Sequence, residues 1–361
     1  MGGICMSLKL KPGVVHGAAY RDLVDHCKET GYALPAVNIT GTNTLNAVLE
    51  AARTAQSDVI VQMSNGGAAF FAGQGHPDKS RAMVLGAASA ARHVHMLAAD
   101  MGVCVILHTD HANRKLVPWV DAMIDIGQDH YSQFGGPLFS SHMIDLSEEP
   151  LDSNLSECAR VLERLAPLDM SIEIELGVTG GEEDGVGSDD DIADNPKLYT
   201  QPEDVLLAYD RLNAIGPFSI AASFGNVHGV YSPGNVRLRP EILKASQDLV
   251  AETHDLGRNP LDLVFHGGSG SDLEDIRAAI SYGVFKMNID TDTQFAFAQG
   301  IGDYVQGHAA AFRSQLDPAT GQPLKKQYDP RVWLREGEMS MRDRVVQACR
   351  DLGSIGKSVA A

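Results

Sequence analysis

The run VCVILHTDHA, Val103 to Ala112, is apolar for five residues and then sets His108, Asp110 and His111 within four positions. Two more histidines follow short apolar runs: His228 in ASFGNVHGVY and His266 in LDLVFHGGSG. Acids occupy similar places, with Asp145 ending LFSSHMID and Glu173 and Glu175 alternating along SIEIEL. Three histidines from separate segments, leaving a coordination position open, form the donor pattern of a catalytic zinc site. A single strand-end histidine is more often a hydrogen-bonded part of the fold, so the joint occurrence of His111, His228 and His266 carries the metal reading. His93 and His95 stand two apart in a helical stretch and diverge by about 200°, which assigns them to the surface or to packing.

Glycines follow two of these histidines directly. Gly267, Gly268 and Ser269 form a turn whose backbone N–H groups could cradle an oxyanion, although a Gly-Gly-Ser sequence is also a common plain turn. The later NIDTDT offers Asn288, Asp290 and Thr291 to a phosphate or to sugar hydroxyls. Glu182 and Glu183 lie side by side in GVTGGEEDGVG, where they are either solvated charge or a base carried on a closing loop. Lys286 invites a Schiff-base reading, but a lysine near a phosphate loop is more simply a charge partner.

The elements that would position these groups alternate. Eight strands are expected at residues 33–39, 58–64, 103–108, 138–145, 171–176, 218–224, 261–266 and 284–289. Helical periods lie between them, several with Ser or Thr at the start, Pro in the first turn or Gly at the end. This predicts an α/β protein, a (β/α)8 TIM barrel whose active site gathers at the C-terminal ends of the strands. A doubly wound sheet would also alternate, but no GxGxxG follows an early strand. One domain over 1–361 is expected, with the barrel at about 33–312 and a C-terminal segment and helix at about 313–361. Added helices are expected at Ala18–Thr30 and Arg342–Leu352. The stretches Gly177–Tyr199 and Leu316–Arg335 read as irregular, the first long enough to suggest a functional loop.

Composition narrows the partners. The chain has 361 residues, and 47 acids against 29 bases give a net charge of −18. That disfavours nucleic acid and anionic membranes, and it requires any anionic substrate to be met by local positive charge or backbone amides. Five scattered cysteines without CxxC spacing argue against a disulfide framework and for a cytoplasmic setting. No apolar run reaches membrane-spanning length.

The motifs TDHA, SSHMIDLSEE, EIELGVTGGEEDG, YTQPEDV, ASFGNVHGVY, FHGGSGS, KMNIDTDTQ and YDPRVWLR occur in order from about Pro35 to Arg335. In them the chain closely resembles the class II, zinc-dependent fructose-1,6-bisphosphate aldolases. The resemblance implies zinc on His111, His228 and His266, with Asp145 and Glu175 at a second metal position. It implies that Asp110 exchanges the C4-hydroxyl proton and that Glu183, or Glu182, handles the proton of dihydroxyacetone phosphate. Substrate contacts carry over to Asn38, Ser64, Gly229, Gly267, Gly268, Ser269, Asn288, Ile289, Asp290 and Thr291. Carbonyls of Val227, Gly229 and Gly267 are implied around a monovalent cation, K+ or Na+. Arg331 is implied to reach substrate from the neighbouring subunit of a homodimer.

A tagatose-1,6-bisphosphate aldolase of the same family is the alternative, differing in the configuration at C4. A barrel metallohydrolase would commonly end its first strand in HxH, where this one reads AVNIT. A merely structural metal position would have no need of Asp110 beside the ligands.

Overall fold

The computed structural model of the chain describes residues 8–177, 180–181, 199–228, 238–268 and 271–361. Its centre is a closed barrel of parallel strands: β1 Leu34–Asn38, β2 Val59–Met63, β3 Cys104–Thr109, β4 Ser141–Ile144, β5 Ser171–Leu176, β6 Phe218–Ala222, β7 Leu263–Phe265 and β8 Val284–Asn288. Each pairs with the next, and β8 returns to β1, with Lys286 opposite Leu34 and Asn288 opposite Ala36. All eight expected strands are present, trimmed by a residue or more at most ends. Runs such as VIVQM are buried along their whole length, as parallel strands covered on both faces require.

The helices are α1 Gly17–Thr30, α2 Thr42–Ala55, α3 Asn65–Phe71, α4 Lys79–Leu97, α5 Val117–Phe134, α6 Leu151–Leu165, α7 Pro202–Leu212, α8 Glu241–His254, α9 Leu273–Ser281, α10 Thr291–Gly307, α11 Lys325–Tyr328 and α12 Pro330–Asp351. The last differs from expectation: it begins at Pro330, not Arg342, inside the stretch read as irregular. Asp329 caps it by accepting the Arg331 N–H at 3.0 Å, and Pro330 takes the first helical position, where no N–H is needed.

Two apolar clusters divide the interior. The larger joins the outward faces of the strands to the helices. The smaller fills the lower barrel with Leu34, Ala36, Ile60, Cys104, Ile106, Met143, Ala221, Val264 and Phe285. Tyr20, Leu23, Val24 and Cys27 of α1 seal it from beneath, together with Val359 near the C-terminus. The short strand Gly13–Val14 runs alongside β3, and Leu10 bridges to Ala360.

Above the apolar floor the inward positions turn polar. In β3, Ile106 is followed two residues on by His108, and Asp110 comes next on the same side, its N–H on Met63 O at 2.9 Å. In β5 the sequence is Ser171, Glu173, Glu175. In β8 the register slips: Leu263 pairs with Val284, but Val264 pairs with Lys286. This bulge gives Phe285 to the lower cluster while Lys286 reaches the layer above it.

Candidate active site

Three donors converge at the top of the barrel. Atoms of His111, Glu175 and His266 lie within 4.8 Å of one another. His111 Nδ1 is 3.2 Å from Glu175 Oε2, and His266 Nδ1 is 3.9 Å from the same oxygen. The two imidazoles meet edge to face at 4.7 Å between centroids. A zinc ion binds N and O donors at about 2.0–2.2 Å, so its ligands stand about 3–4 Å apart, and this set matches in spacing and in kind.

The field is also suited to a cation. Burial alone would favour neutral His111, yet Glu175, Asp110 and the Asp145 hydrogen bond hold its pKa well above the ordinary histidine value. Asp145 Oδ2 is 2.9 Å from His111 Nδ1, and Ser147 Oγ donates to Asp145 Oδ1 at 2.7 Å. Despite burial, those contacts keep the Asp145 carboxyl below the usual range. Three carboxylates around one imidazole make a place where positive charge is strongly stabilised.

Asp110 borders this cluster, its Oδ1 3.9 Å from His111 Nε2. Its other oxygen accepts from Asn38 Nδ2 at 2.7 Å, and Asn38 Oδ1 accepts from Gln62 Nε2 at 2.6 Å. Burial opposes ionisation of Asp110, but His111, Lys286 and His266 outweigh it and depress its pKa. Asn38, expected to touch substrate, therefore also orients Asp110. Gln62 escaped the sequence reading; its position at the end of β2, matching Asn38 in the ladder, was the available signal.

Beneath the donors lies a second polar layer. His266 Nε2 is 2.8 Å from Glu173 Oε1, and Lys286 Nζ donates to both Glu173 oxygens at 2.8 Å. His108 Nε2 stands 3.6 Å from Glu173 Oε2, and its Nδ1 is 2.7 Å from Ser141 Oγ. His108 is thus buried, held by Ser141 and facing Glu173, and burial with Lys286 nearby keeps it neutral. Lys286 is only 2% exposed and is bound by Glu173, which replaces the expected role of a charge partner for phosphate.

The backbone of His228 pairs with the segment that leads to Glu182 and Glu183. Gly180–Gly181 and Val227–His228 form a short parallel ladder, with Gly181 opposite His228, so the segment leading to Glu182 and Glu183 starts beside the NVHG turn. Asn226 Nδ2 donates to His266 O at 3.0 Å and ties that turn to β7. Glu182, Glu183, Gly229 and Ser269 lie outside the described residues, and for Val227 and His228 only the backbone is described.

The remaining expected contacts are spread over several elements. Gly267 adopts φ +61°, a region that favours glycine, and a Cβ on Gly268 would fall 2.1 Å from Met287 Cε. Asn288 ends β8, buried, its Oδ1 without a partner among the described residues. Thr291 opens α10, whose N-terminus favours an anion, and Asp290 precedes it, engaged by Gln294. Ile289 has its N–H on Ala36 O and its side chain in the outer core. Ser64 caps α3 by accepting the Gly67 N–H at 3.1 Å. Arg331, 88% exposed, lies against Asp329 at 2.7 Å. His93 and His95 serve packing, on Asn46 and on Leu138 O.

Comparison with known proteins finds the family model "Fructose-bisphosphate aldolase class-II" matching residues 18–357. The fructose-bisphosphate aldolase of Campylobacter jejuni is 55% identical over 353 residues, covering 97% of this chain and 98% of that protein. The fructose-bisphosphate aldolase class 2 of Escherichia coli is 53% identical over 351 residues, covering 96% and 97%. A crystal structure of the Campylobacter jejuni enzyme superposes with a TM-score of 0.87 at 53% identity, covering 97% of this chain and 98% of the other.

Proposed function

The chain belongs to the class-II fructose-bisphosphate aldolase family, and from that premise we propose how its own residues cleave fructose 1,6-bisphosphate to dihydroxyacetone phosphate and glyceraldehyde 3-phosphate. The observation that carries the proposal is the convergence of His111, Glu175 and His266 within 4.8 Å, with Asp110 3.9 Å from His111. His111, His228 and His266 would hold zinc, and Glu175 with Asp145 supplies the adjoining position. When bound, the ion supplies Lewis-acid polarisation of the C2 carbonyl of the substrate, where charge develops as the C3–C4 bond breaks.

Asp110 accepts the C4-hydroxyl proton while C4 becomes the aldehyde carbon and the bonding pair passes toward C3 and the C2 oxygen. Its low pKa leaves it ionised and able to do so, and Asn38 keeps one of its oxygens fixed. Glu183 then delivers a proton to C3, with Glu182 beside it. Gly267, Gly268, Ser269 and the Asn288–Thr291 segment bind phosphate through amides and hydroxyls, with Gly229 and Ser64 contributing. Carbonyls of Val227, Gly229 and Gly267 surround a monovalent cation.

Arg331 acts on the site of a partner subunit in a homodimer working in the cytoplasm; its exposure and its distance along the chain from the strand ends support that reading. Among the described residues no helix is long and apolar enough to cross a membrane.

A coupled aldolase assay tests the proposal. Activity on fructose 1,6-bisphosphate is expected to vanish with EDTA, to return with zinc and to survive borohydride plus substrate. Activity that resists chelation but dies with borohydride would transfer the chemistry to Lys286. A higher kcat/KM on tagatose 1,6-bisphosphate would replace the substrate.

A further inference from the structure

Among the described residues the barrel holds a buried ion pair that the proposed reaction leaves unused, Glu173–Lys286. Both side chains are 2% exposed, and the Lys286 ammonium contacts both carboxylate oxygens at 2.8 Å. Burying two charges is costly even when they are paired, and an apolar pair of similar volume would often serve stability as well. The apolar layer directly below shows that the barrel can be filled that way. The pair therefore calls for a role, and its contacts indicate one. Glu173 Oε1 is 2.8 Å from His266 Nε2, while the other ring nitrogen of His266 faces Glu175 and the His111 cluster.

We infer that Glu173, neutralised by Lys286, is the positioning residue of the metal centre, fixing His266 in the Nε2–H tautomer so that Nδ1 presents its lone pair to the ion. A carboxylate acceptor holds the ring plane and raises the basicity of the ligating nitrogen. Glu173 alone would add a further negative charge to a site already facing Asp110, Asp145 and Glu175. Lys286 offsets it, so the orienting hydrogen bond is kept without an extra net charge beneath the ion. The β8 bulge at Phe285 is what brings the ammonium to this height.

The inference rests on the metal reading above, and two measurements separate their failures. In zinc-loaded wild-type protein with 15N-labelled histidine, assigned with His266→Gln, the His266 ring is expected to carry its proton on Nε2. Zinc uptake with the proton on Nδ1 overturns this inference and leaves the metal reading intact, whereas no zinc uptake overturns both.

The double variant Glu173→Gln/Lys286→Met keeps an acceptor and similar volume but removes both charges. Its zinc affinity, read by competition with a chromogenic chelator, is expected to fall about 10–100-fold. The d–d spectrum of its cobalt form should shift. The single variant Lys286→Arg, with Glu173 kept, should hold affinity within about threefold of wild type, because it keeps the paired charge. Unchanged zinc affinity and an unchanged cobalt spectrum in the double variant would overturn the inference. Should that variant fail to fold, the wild-type tautomer decides.

Discussion

At the scale of single residues, the neighbours Asp110 and His111 have different surroundings although one peptide bond joins them. His111 faces Glu175 and Asp145, whereas Asp110 faces Asn38 and only borders the donor cluster. Asp110→Ala is therefore expected to retain zinc and lose about 10²–10⁴-fold in kcat, the usual contribution of a positioned acid–base group. His111→Ala should lose both zinc and activity. Elemental analysis beside the coupled assay separates the two, and full zinc occupancy in His111→Ala would remove that residue from the ligand set. The placement of both residues was partly legible in the sequence, because an apolar run ending in polar residues marks the C-terminal end of a strand. The Glu173–Lys286 contact was not: 113 residues separate the partners, and a register slip sets their meeting.

At the scale of elements, the strands were legible because burial on both faces demands mainly apolar runs, broken where inward positions turn polar, as at Glu173 and Glu175 in β5 and Lys286 in β8. The start of α12 was hidden for the opposite reason. Its buried positions are Gly337, Met341, Val345, Ala348 and Cys349, so an apolar period emerges only from Met341 onward. Gly337 reads as a breaker, yet it allows close approach to α10, since a Cβ there would stand 3.0 Å from Phe297 O.

The β3–β4 pairing carries a testable acid sensitivity. His142 is buried against Thr109, its Nδ1 2.8 Å from Thr109 Oγ1, and burial pushes its pKa down to about 3. The unfolded chain protonates this residue near pH 6.5, while the folded chain resists until about pH 3. The stabilising contribution of neutral His142 is thus complete above pH 6.5 and is lost progressively as pH falls toward 3. Between pH 6.5 and 5 the loss is about 2 kcal/mol. Urea unfolding of wild type and His142→Gln at both pH values, in one metal state, should show the variant falling by about that much less. Parallel behaviour of the two proteins would dismiss His142 as the cause.

At the scale of the whole molecule, the proposed function requires a net charge of −18 and a bisphosphate substrate to be reconciled locally, by amides, metal and arginine. Arg331 stands at the head of α12, bound only to Asp329 among the described residues. If it serves a partner's site, two inactive proteins should repair each other. Mixing Asp110→Ala with Arg331→Ala, after dissociation and reassociation, places an intact Asp110 beside an intact Arg331 in one site of each mixed dimer. Random exchange should then recover about a quarter of wild-type activity. No recovery, with exchange verified by mass, would place Arg331 in its own subunit's site.

The floor of the barrel has a consequence for biosynthesis. Val359 packs under the strands, its N–H on Asp58 Oδ2 at 2.9 Å, while its carbonyl accepts the Leu10 N–H at 2.8 Å. Residues translated early and residues translated late thus meet at one seam. A nascent chain can lay down all eight barrel strands while still on the ribosome. The seam of Leu10, Asp58 and Val359 nevertheless closes only once Val359 has emerged, so this part of the floor is completed after α1 and the strands.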